Sequence, residues 1–448
     1  MFDLTLHDLL EVLSLRNYNT RLVVLSVMLL GATSGVVGSF LLLRKRSLLG
    51  DALAHATLPG IAIAFLISVA LGGTGKSLPL LLTGATITGV MGMGLILVMR
   101  RTTRLKDDAA MGIVLSVFFG IGVAILGIVQ RDPRGSAAGL ESFIYGKTAS
   151  MVFTDFTLIA GVSVVAGLAS ILFLKELTLL CFDEAFARSQ GWPVTLLDLI
   201  LIGLVTAVTI VGLQAVGLIL IIAFLITPAA AARFWTQDLS ITLLTASVIG
   251  ALSGWIGASV SALLPGLPAG AVIVLAGSFF FLVSMFFGRS RGVLQRWFKS
   301  RQLLRRVGRQ HLLRAAFEIL EKQETSDDFK NEPVPLAQLL AHRTWSEKTL
   351  KGLIRAGRQD HVLEESKTAN EVQLSEEGFA KAARVTRNHR LWELYLIRYA
   401  DIAPSHVDRD ADMVEHVLGV DIVRQLEAEL EGQKGLPESP HEIPVVEV

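Results

Sequence analysis

Three sets of side chains in this sequence have the types and spacing of metal ligands. The first is Asp51 and His55, four residues apart in the stretch from Arg44 to Gly60. On a helix that spacing puts both on one face, one turn apart. Carboxylate plus imidazole suits a divalent transition metal such as manganese, iron(II) or zinc. Ionisable groups at the mouth of a membrane helix mark a pathway or a partner. The same pair also serves as a helix-end acid answering the macrodipole beside an interfacial histidine. The second set is His389 and Glu393 in His389-Arg390-Leu391-Trp392-Glu393. The third is Asp412, Glu415 and His416 in Asp412-Met413-Val414-Glu415-His416. These are nitrogen and oxygen ligands without a thiolate, which favours manganese or iron(II) over a closed structural zinc site. Ion-paired helix faces use the same spacings, so either set taken alone stays open between metal site and ion pair.

The elements that carry these groups lie in two unlike solvents. The chain has 448 residues, 52% hydrophobic, with mean hydropathy +0.56, too apolar for a soluble protein of this size. Residues 1–290 hold 17 of the 41 basic and 14 of the 40 acidic residues, and the rest of the chain holds seven of the nine histidines. A membrane part to about Arg291 is therefore followed by a soluble part. The single cysteine, Cys181, excludes an internal disulfide and a multi-cysteine zinc site. The first 18 residues have acids and no basic n-region, so no removable signal peptide is expected.

Nine apolar runs are long enough to cross a bilayer, at roughly 17–25 residues each: 22–43, 52–71, 78–99, 109–129, 152–174, 196–213, 215–232, 239–263 and 270–287. Basic residues cluster after the odd-numbered runs, from Arg44-Lys45-Arg46 to Arg289 and Arg291. This charge bias predicts an N-terminus outside and everything after residue 288 in the cytoplasm. Pro228 is expected to kink the seventh span. The loop after the fifth span holds Asp183, Glu184, Ala187, Arg188 and Gly191, a short amphipathic helix stopped by glycine. Such a helix has the shape of a coupling helix that docks on a nucleotide-binding subunit, or of an ordinary interfacial helix. Gly72-Gly73-Thr74-Gly75-Lys76-Ser77 imitates a phosphate loop, but Ala70 stands where the pattern needs glycine and no strand precedes it. ATP hydrolysis is thus expected in a partner.

Residues 22–288 resemble the permease subunits of the metal-importing ABC transporters. The resemblance rests on Arg44 to Gly60, Asp183 to Gly191, Val216-Gly217 through Pro228 to Arg233, and Pro268-Ala269-Gly270. It implies an all-α polytopic bundle of the bacterial inner membrane, paired as a homodimer or with a second permease. It also implies an ABC ATPase subunit, an extracytoplasmic metal-binding lipoprotein, and a metal path through Asp51 and His55.

Beyond the membrane, residues 291–314 carry eight basic residues and no acid, suited to anionic headgroups. From Pro335 to Gly357 the pattern reads helix, turn, helix, with Ser346 placed to cap the second helix. Val362-Leu363 and Val372 to Leu374 would be the strands of a wing, giving a winged helix-turn-helix. That layout serves DNA or protein contacts. For DNA, Ser346, Lys348, Thr349, Lys351 and Arg355 are the candidate residues.

Residues 307–444 resemble the diphtheria-toxin-repressor family of metal-dependent regulators. The motifs are the winged helix, His389 to Glu393, Ala411 to His416, and Ser439-Pro440-His441-Glu442-Ile443-Pro444. The resemblance implies one metal site at His389, Glu393 and Asp408, and a regulatory site at Asp412, Glu415 and His416. His311 falls where the family's first helix supplies a ligand. Asp408 departs from the histidine common there, and His406 is nearby. The sequence thus reads as four parts: a metal importer permease (1–290), a basic juxtamembrane linker (291–306), a winged helix-turn-helix (307–380) and a helical metal-binding and dimerisation domain (381–448). The whole is a permease for manganese, iron(II) or zinc whose metal-reading domain acts on operator DNA or feeds back on the channel. The alternative is a membrane-anchored, metal-responsive transcription regulator whose permease half no longer transports.

Overall fold

A computed structural model describes residues 16–73, 77–131, 148, 151–264, 267–323, 332–364, 370–399 and 425. Its contacts divide the chain into two units, Met1–Arg296 and Trp297–Val448.

The regular elements of the first unit are helices: α1 (Tyr18–Leu43), α2 (Leu49–Ala70), α3 (Leu78–Thr102), α4 (Asp107–Arg131), α5 (Phe153–Leu172), α6 (Leu174–Phe182), α7 (Glu184–Ser189), α8 (Val194–Val216), α9 (Leu218–Ala232), α10 (Leu239–Leu263) and α11 (Ala269–Phe287). Among the described residues eight helices, not the expected nine, are long and apolar enough to span a membrane. The difference is α9. Gly217, at φ +86°, ends α8 and starts α9, which leaves α9 with 15 residues. At about 1.5 Å per residue it is shorter than a bilayer core of about 30 Å. Pro228 lies inside it.

α1 runs through the middle, packed along α10, α9 and α5, while α2 lies between α3 and α4. Small residues set these distances. A Cβ added to Gly31 would lie 2.4 Å from the Gly250 carbonyl oxygen, and one added to Gly250 would lie 2.1 Å from that of Gly31. The two backbones touch, as small residues allow where lipid offers no hydrophobic drive to association. Gly250→Val is expected to cost about 1–3 kcal/mol or more by overpacking. Thermal melting in detergent checks this, and an unchanged midpoint would contradict it.

The joint between α1 and α2 is a tight C-terminal turn. Lys45 has φ +57°; its N–H donates to Leu42 O, and the Arg46 N–H donates to Leu41 O at 2.9 Å. This closure satisfies the last carbonyls of α1. It turns Arg44 and Arg46 back into the bundle, where Arg46 is 5% exposed.

The second unit contains α12 (Val293–Lys322) from Trp297 onward, β1 (Val334–Pro335), α13 (Leu336–His342), α14 (Glu347–Gln359), β2 (Leu363–Glu364), β3 (Glu371–Leu374) and α15 (Glu376–Tyr399). The basic juxtamembrane stretch, expected to run as a helix into the amphipathic segment at 310–320, is helical within α12, which continues to Lys322. The sheet has order β1-β3-β2, antiparallel throughout, with Val334 opposite Val372 and Leu363 opposite Leu374. Sequence reasoning missed β1, because two residues ending in proline carry no alternation. Residues Leu312–Leu320 of α12 are all buried, against Leu350, Ile354, Val362, Val372 and Leu374. Ser346 caps α14 by accepting from the Thr349 N–H at 3.2 Å. Ser346→Ala is expected to destabilise α14 by about 1 kcal/mol, seen as faster hydrogen exchange in its first turn.

Candidate functional site

Asp51 sits in the first turn of α2, and His55 follows one turn later. His55 Nε2 lies 3.2 Å from Asp51 Oδ1, and the side chains are 17% and 27% exposed. Neighbouring helices fix α2: Gly92 of α3 packs on Ala56, and Gly122 of α4 packs on Leu58, one turn beyond His55. Phe119 of α4 meets the His55 ring edge-on, at 4.8 Å between centroids. His55 Nδ1 has no hydrogen-bond partner among the described residues. The pair therefore offers one carboxylate and one imidazole on a rigid, partly open face. No third histidine, cysteine, aspartate or glutamate joins it among the described residues. Divalent transition metals take four to six ligands, so two side chains alone would not complete a coordination shell.

Below this pair lies a charge network absent from the sequence analysis. Asp198, in the second turn of α8, takes Arg46 Nη1 at 2.7 Å, Arg44 Nη2 at 3.3 Å and Arg100 Nη1 at 3.6 Å. Asp107, at the start of α4, takes Arg46 Nε at 3.2 Å and Arg100 Nε at 2.9 Å. Arg44 Nη1 also pairs with Glu184 at 3.0 Å and donates to Leu180 O. Arg44, Arg46 and Arg100, counted in the loop-charge bias, are thus structural ions. One signal could have found the hub: Asp198 is the only acid in the apolar run 196–213, and such acids need partners.

The loop at 183–191 is a single helical turn with both ends tied. Asp183 Oδ1 accepts from the Phe186 N–H at 2.8 Å, and Gly191 closes the turn at φ +79°. Ala187 is buried, while Phe182 and Phe186 are 67% and 50% exposed. Burial raises the Glu184 carboxyl, but hydrogen bonds from Arg188 and Arg44 outweigh it and hold it below the ordinary range. Burial pushes the neighbouring Cys181 thiol up to about 12, so it is an inert neutral group.

In the second unit His389 and Glu393 are fully buried, with His389 Nε2 3.3 Å from Glu393 Oε1. Arg314 of α12 reaches the same ring: its Nη1 is 2.7 Å from His389 Nδ1. Arg314 Nε pairs with Glu318 at 2.7 Å, and the other Glu318 oxygen is 2.7 Å from His342 Nε2. His311 Nδ1 lies 2.8 Å from Arg343 Nη1. Burial raises the Glu318 carboxyl, but Arg314 and His342 outweigh it and hold it below its ordinary 4.5. A depressed carboxyl stabilises the fold above its unfolded pKa, and that contribution is lost as pH falls through the folded value. Glu318→Gln is expected to remove this acid-side loss. Hydrogen exchange of residues 312–320 between pH 6 and 3 checks it; an unchanged acid limb would contradict it.

A family model described as the ABC 3 transport family matches residues 17–288. The chain belongs to the ABC 3 transport family. It is 38% identical over 400 residues to the manganese transport system membrane protein MntC of Bacillus subtilis, covering 89% of this chain and 88% of that protein. It is 44% identical to the zinc transport system membrane protein TroC of Treponema pallidum over 66% of this chain and 98% of that protein. A solved structure, PsaBC from Streptococcus pneumoniae in complex with Fab, aligns with TM-score 0.54 at 30% identity, over 66% of this chain and all of the other. A second family model, iron dependent repressor, metal binding and dimerisation domain, matches residues 375–444. This ABC 3 permease therefore carries a repressor-type C-terminal region, and the likeness to the Bacillus protein runs well past residue 288.

Against the permease frame, Asp51 and His55 are brought together, as are the residues of the 183–191 loop. In α14, Lys348, Thr349, Lys351 and Arg355 are exposed opposite buried Leu350 and Ile354. Ser346 and Thr349 are hydrogen-bonded to each other at 2.7 Å, and Lys351 pairs with Glu347. His311 and His389 each meet an arginine. Asp408, Asp412, Glu415 and His416 lie outside the described residues.

Proposed function

We propose that this chain is the membrane permease of an ATP-driven importer of divalent metal, manganese foremost, then iron(II) and zinc, with a metal-reading domain at its C-terminus. The observation that carries the reading is the Asp51–His55 pair on the open face of α2, in a chain similar to manganese and zinc transport proteins. Two ligands are half of a tetrahedral shell. A second permease copy supplies the other carboxylate and imidazole, so the path forms between two copies. An extracytoplasmic binding lipoprotein delivers the ion, and two ATPase subunits dock on the 183–191 loops through Phe186, with Phe182 at the end of α6 beside it. Aromatic anchors of that kind dominate interface energetics. The N-terminus faces outside and the C-terminal unit the cytoplasm.

In the second unit, the α13–α14 pair with the β2–β3 ribbon supports a winged helix-turn-helix. The exposed face of α14 offers Lys348, Lys351 and Arg355 to phosphates. The regulatory metal is held by Asp412, Glu415 and His416, whose two carboxylates favour manganese. The test is uptake into proteoliposomes holding this permease, its ATPase and its binding protein. Competition among manganese, iron(II) and zinc orders the substrates. ATP-dependent uptake of none of the three would overturn the proposal.

A further inference from the structure

We infer that the His389 centre is built around the guanidinium of Arg314 in place of a metal ion, so that the protein's own cation ties α12 to α15. The inference rests on reading residues 375–444 as a repressor-type metal-binding region. In that reading His389 and Glu393 are ligands, and the residues present can be tested against the ion.

The test turns on one proton. Arginine is donor-only and stays charged. Its Nη1 stands 2.7 Å from His389 Nδ1, so Nδ1 is the acceptor. A neutral ring then carries its proton on Nε2, the nitrogen that faces Glu393 Oε1 at 3.3 Å. Neither nitrogen keeps a lone pair for a metal, and coordination through Nε2 with this contact intact would require the imidazolate. Metal-bound histidines show the opposite arrangement: the second nitrogen is an N–H that donates to a carboxylate, a carbonyl or water. Here a donor stands where an acceptor belongs.

Arg314 is also held firmly in place. It is 3% exposed, and its Nε is paired with Glu318, which is itself anchored by His342 at the end of α13. Arg390, next to His389, makes a two-point pair with Glu321 of α12. His311, the other histidine assigned to a metal, meets Arg343 by the same Nδ1 geometry. Charge-assisted hydrogen bonds thus join α12 to α15 at two places and to the α13 end at two more. Metal control is left to Asp412, Glu415 and His416.

The experiment uses the full chain in lipid nanodiscs, with Asp51→Ala and His55→Ala so that bound metal reports the C-terminal half. Equilibrium dialysis counts manganese per chain, and hydrogen exchange follows residues 312–320 in chelator and in saturating manganese. His389→Gln is expected to keep the parent's metal count. Arg314→Gln is expected to speed exchange at 312–320 at least about tenfold in both conditions, as loss of a buried charge-assisted hydrogen bond does. If that variant does not fold, Arg314→Lys is expected to fold with exchange between parent and unprotected chain. Loss of one bound manganese in His389→Gln overturns the inference. So does a manganese-dependent slowing at 312–320 that His389→Gln abolishes, or parent-like exchange in Arg314→Gln. Glu415→Ala and His416→Ala test the sensor reading separately. If the parent's C-terminal half binds no manganese, that reading fails, and the exchange of Arg314→Gln still decides the arginine lock.

Discussion

Asp51→Ala is expected to abolish metal uptake while the permease still folds and still binds its ATPase. In the proposed path the carboxylate is half of what each copy would offer to the ion, and His55, 3.2 Å away, would be the other half. Loss of groups that merely orient a metal ligand costs about 10–100-fold, so loss of the ligand is expected to exceed about 100-fold. His55→Ala should match it, because an incomplete shell fails from either side. The fold does not depend on this face. Asp51 is 27% exposed at the side chain, and α2 is held by Gly84 on Gly60 and Gly92 on Ala56. His55 also loses its edge contact with Phe119, worth about 1 kcal/mol. Phe119→Leu is therefore the control that keeps both ligands and lightens that contact. Uptake, basal ATP hydrolysis and gel-filtration profile are measured together. Near-parent uptake by Asp51→Ala would remove the metal path from this helix.

Much of the bundle was legible because bilayer-length apolar runs are their own signal. The run at 215–232 misled, since hydropathy sees length and not the positive φ of Gly217 that cuts it short. The Asp51–His55 pair was legible because both residues sit on one helix, four residues apart. The Asp198 network was not, because its partners come from residues 44–46, 100, 107 and 184. No periodicity relates positions that meet only through tertiary packing. The same holds for Arg314. His389 and Glu393 advertise a metal site by spacing, and the guanidinium that meets the histidine at Nδ1 comes from 75 residues upstream. Local spacing finds ligand pairs; it does not reveal which cation they face.

Asp198→Ala is expected to have the second-largest effect, for the opposite reason: it removes a buried charge that three arginines share. Arg44 and Arg46 side chains are 9% and 6% exposed, so they cannot turn to water when their partner goes. Breaking a buried ion pair from one side costs about 3–5 kcal/mol, and the thermal midpoint should fall by several degrees. Asp198→Asn keeps shape and hydrogen bonding but drops the charge, and should fall between. The network also links the 183–191 loop to the segment that precedes α2. Glu184 of the 183–191 loop holds Arg44, Arg44 and Arg46 share Asp198, and Arg46 lies five residues before Asp51. With an ATPase docked on the loop as proposed, movement of the loop would have a stiff route to the start of α2. Glu184→Ala cuts the outer link of that route and leaves the Asp198 hub intact. It is expected to keep most of the thermal stability and ATP hydrolysis while lowering metal moved per ATP. If Glu184→Ala transports at the parent's ratio, the network serves stability alone, and coupling passes elsewhere through the bundle.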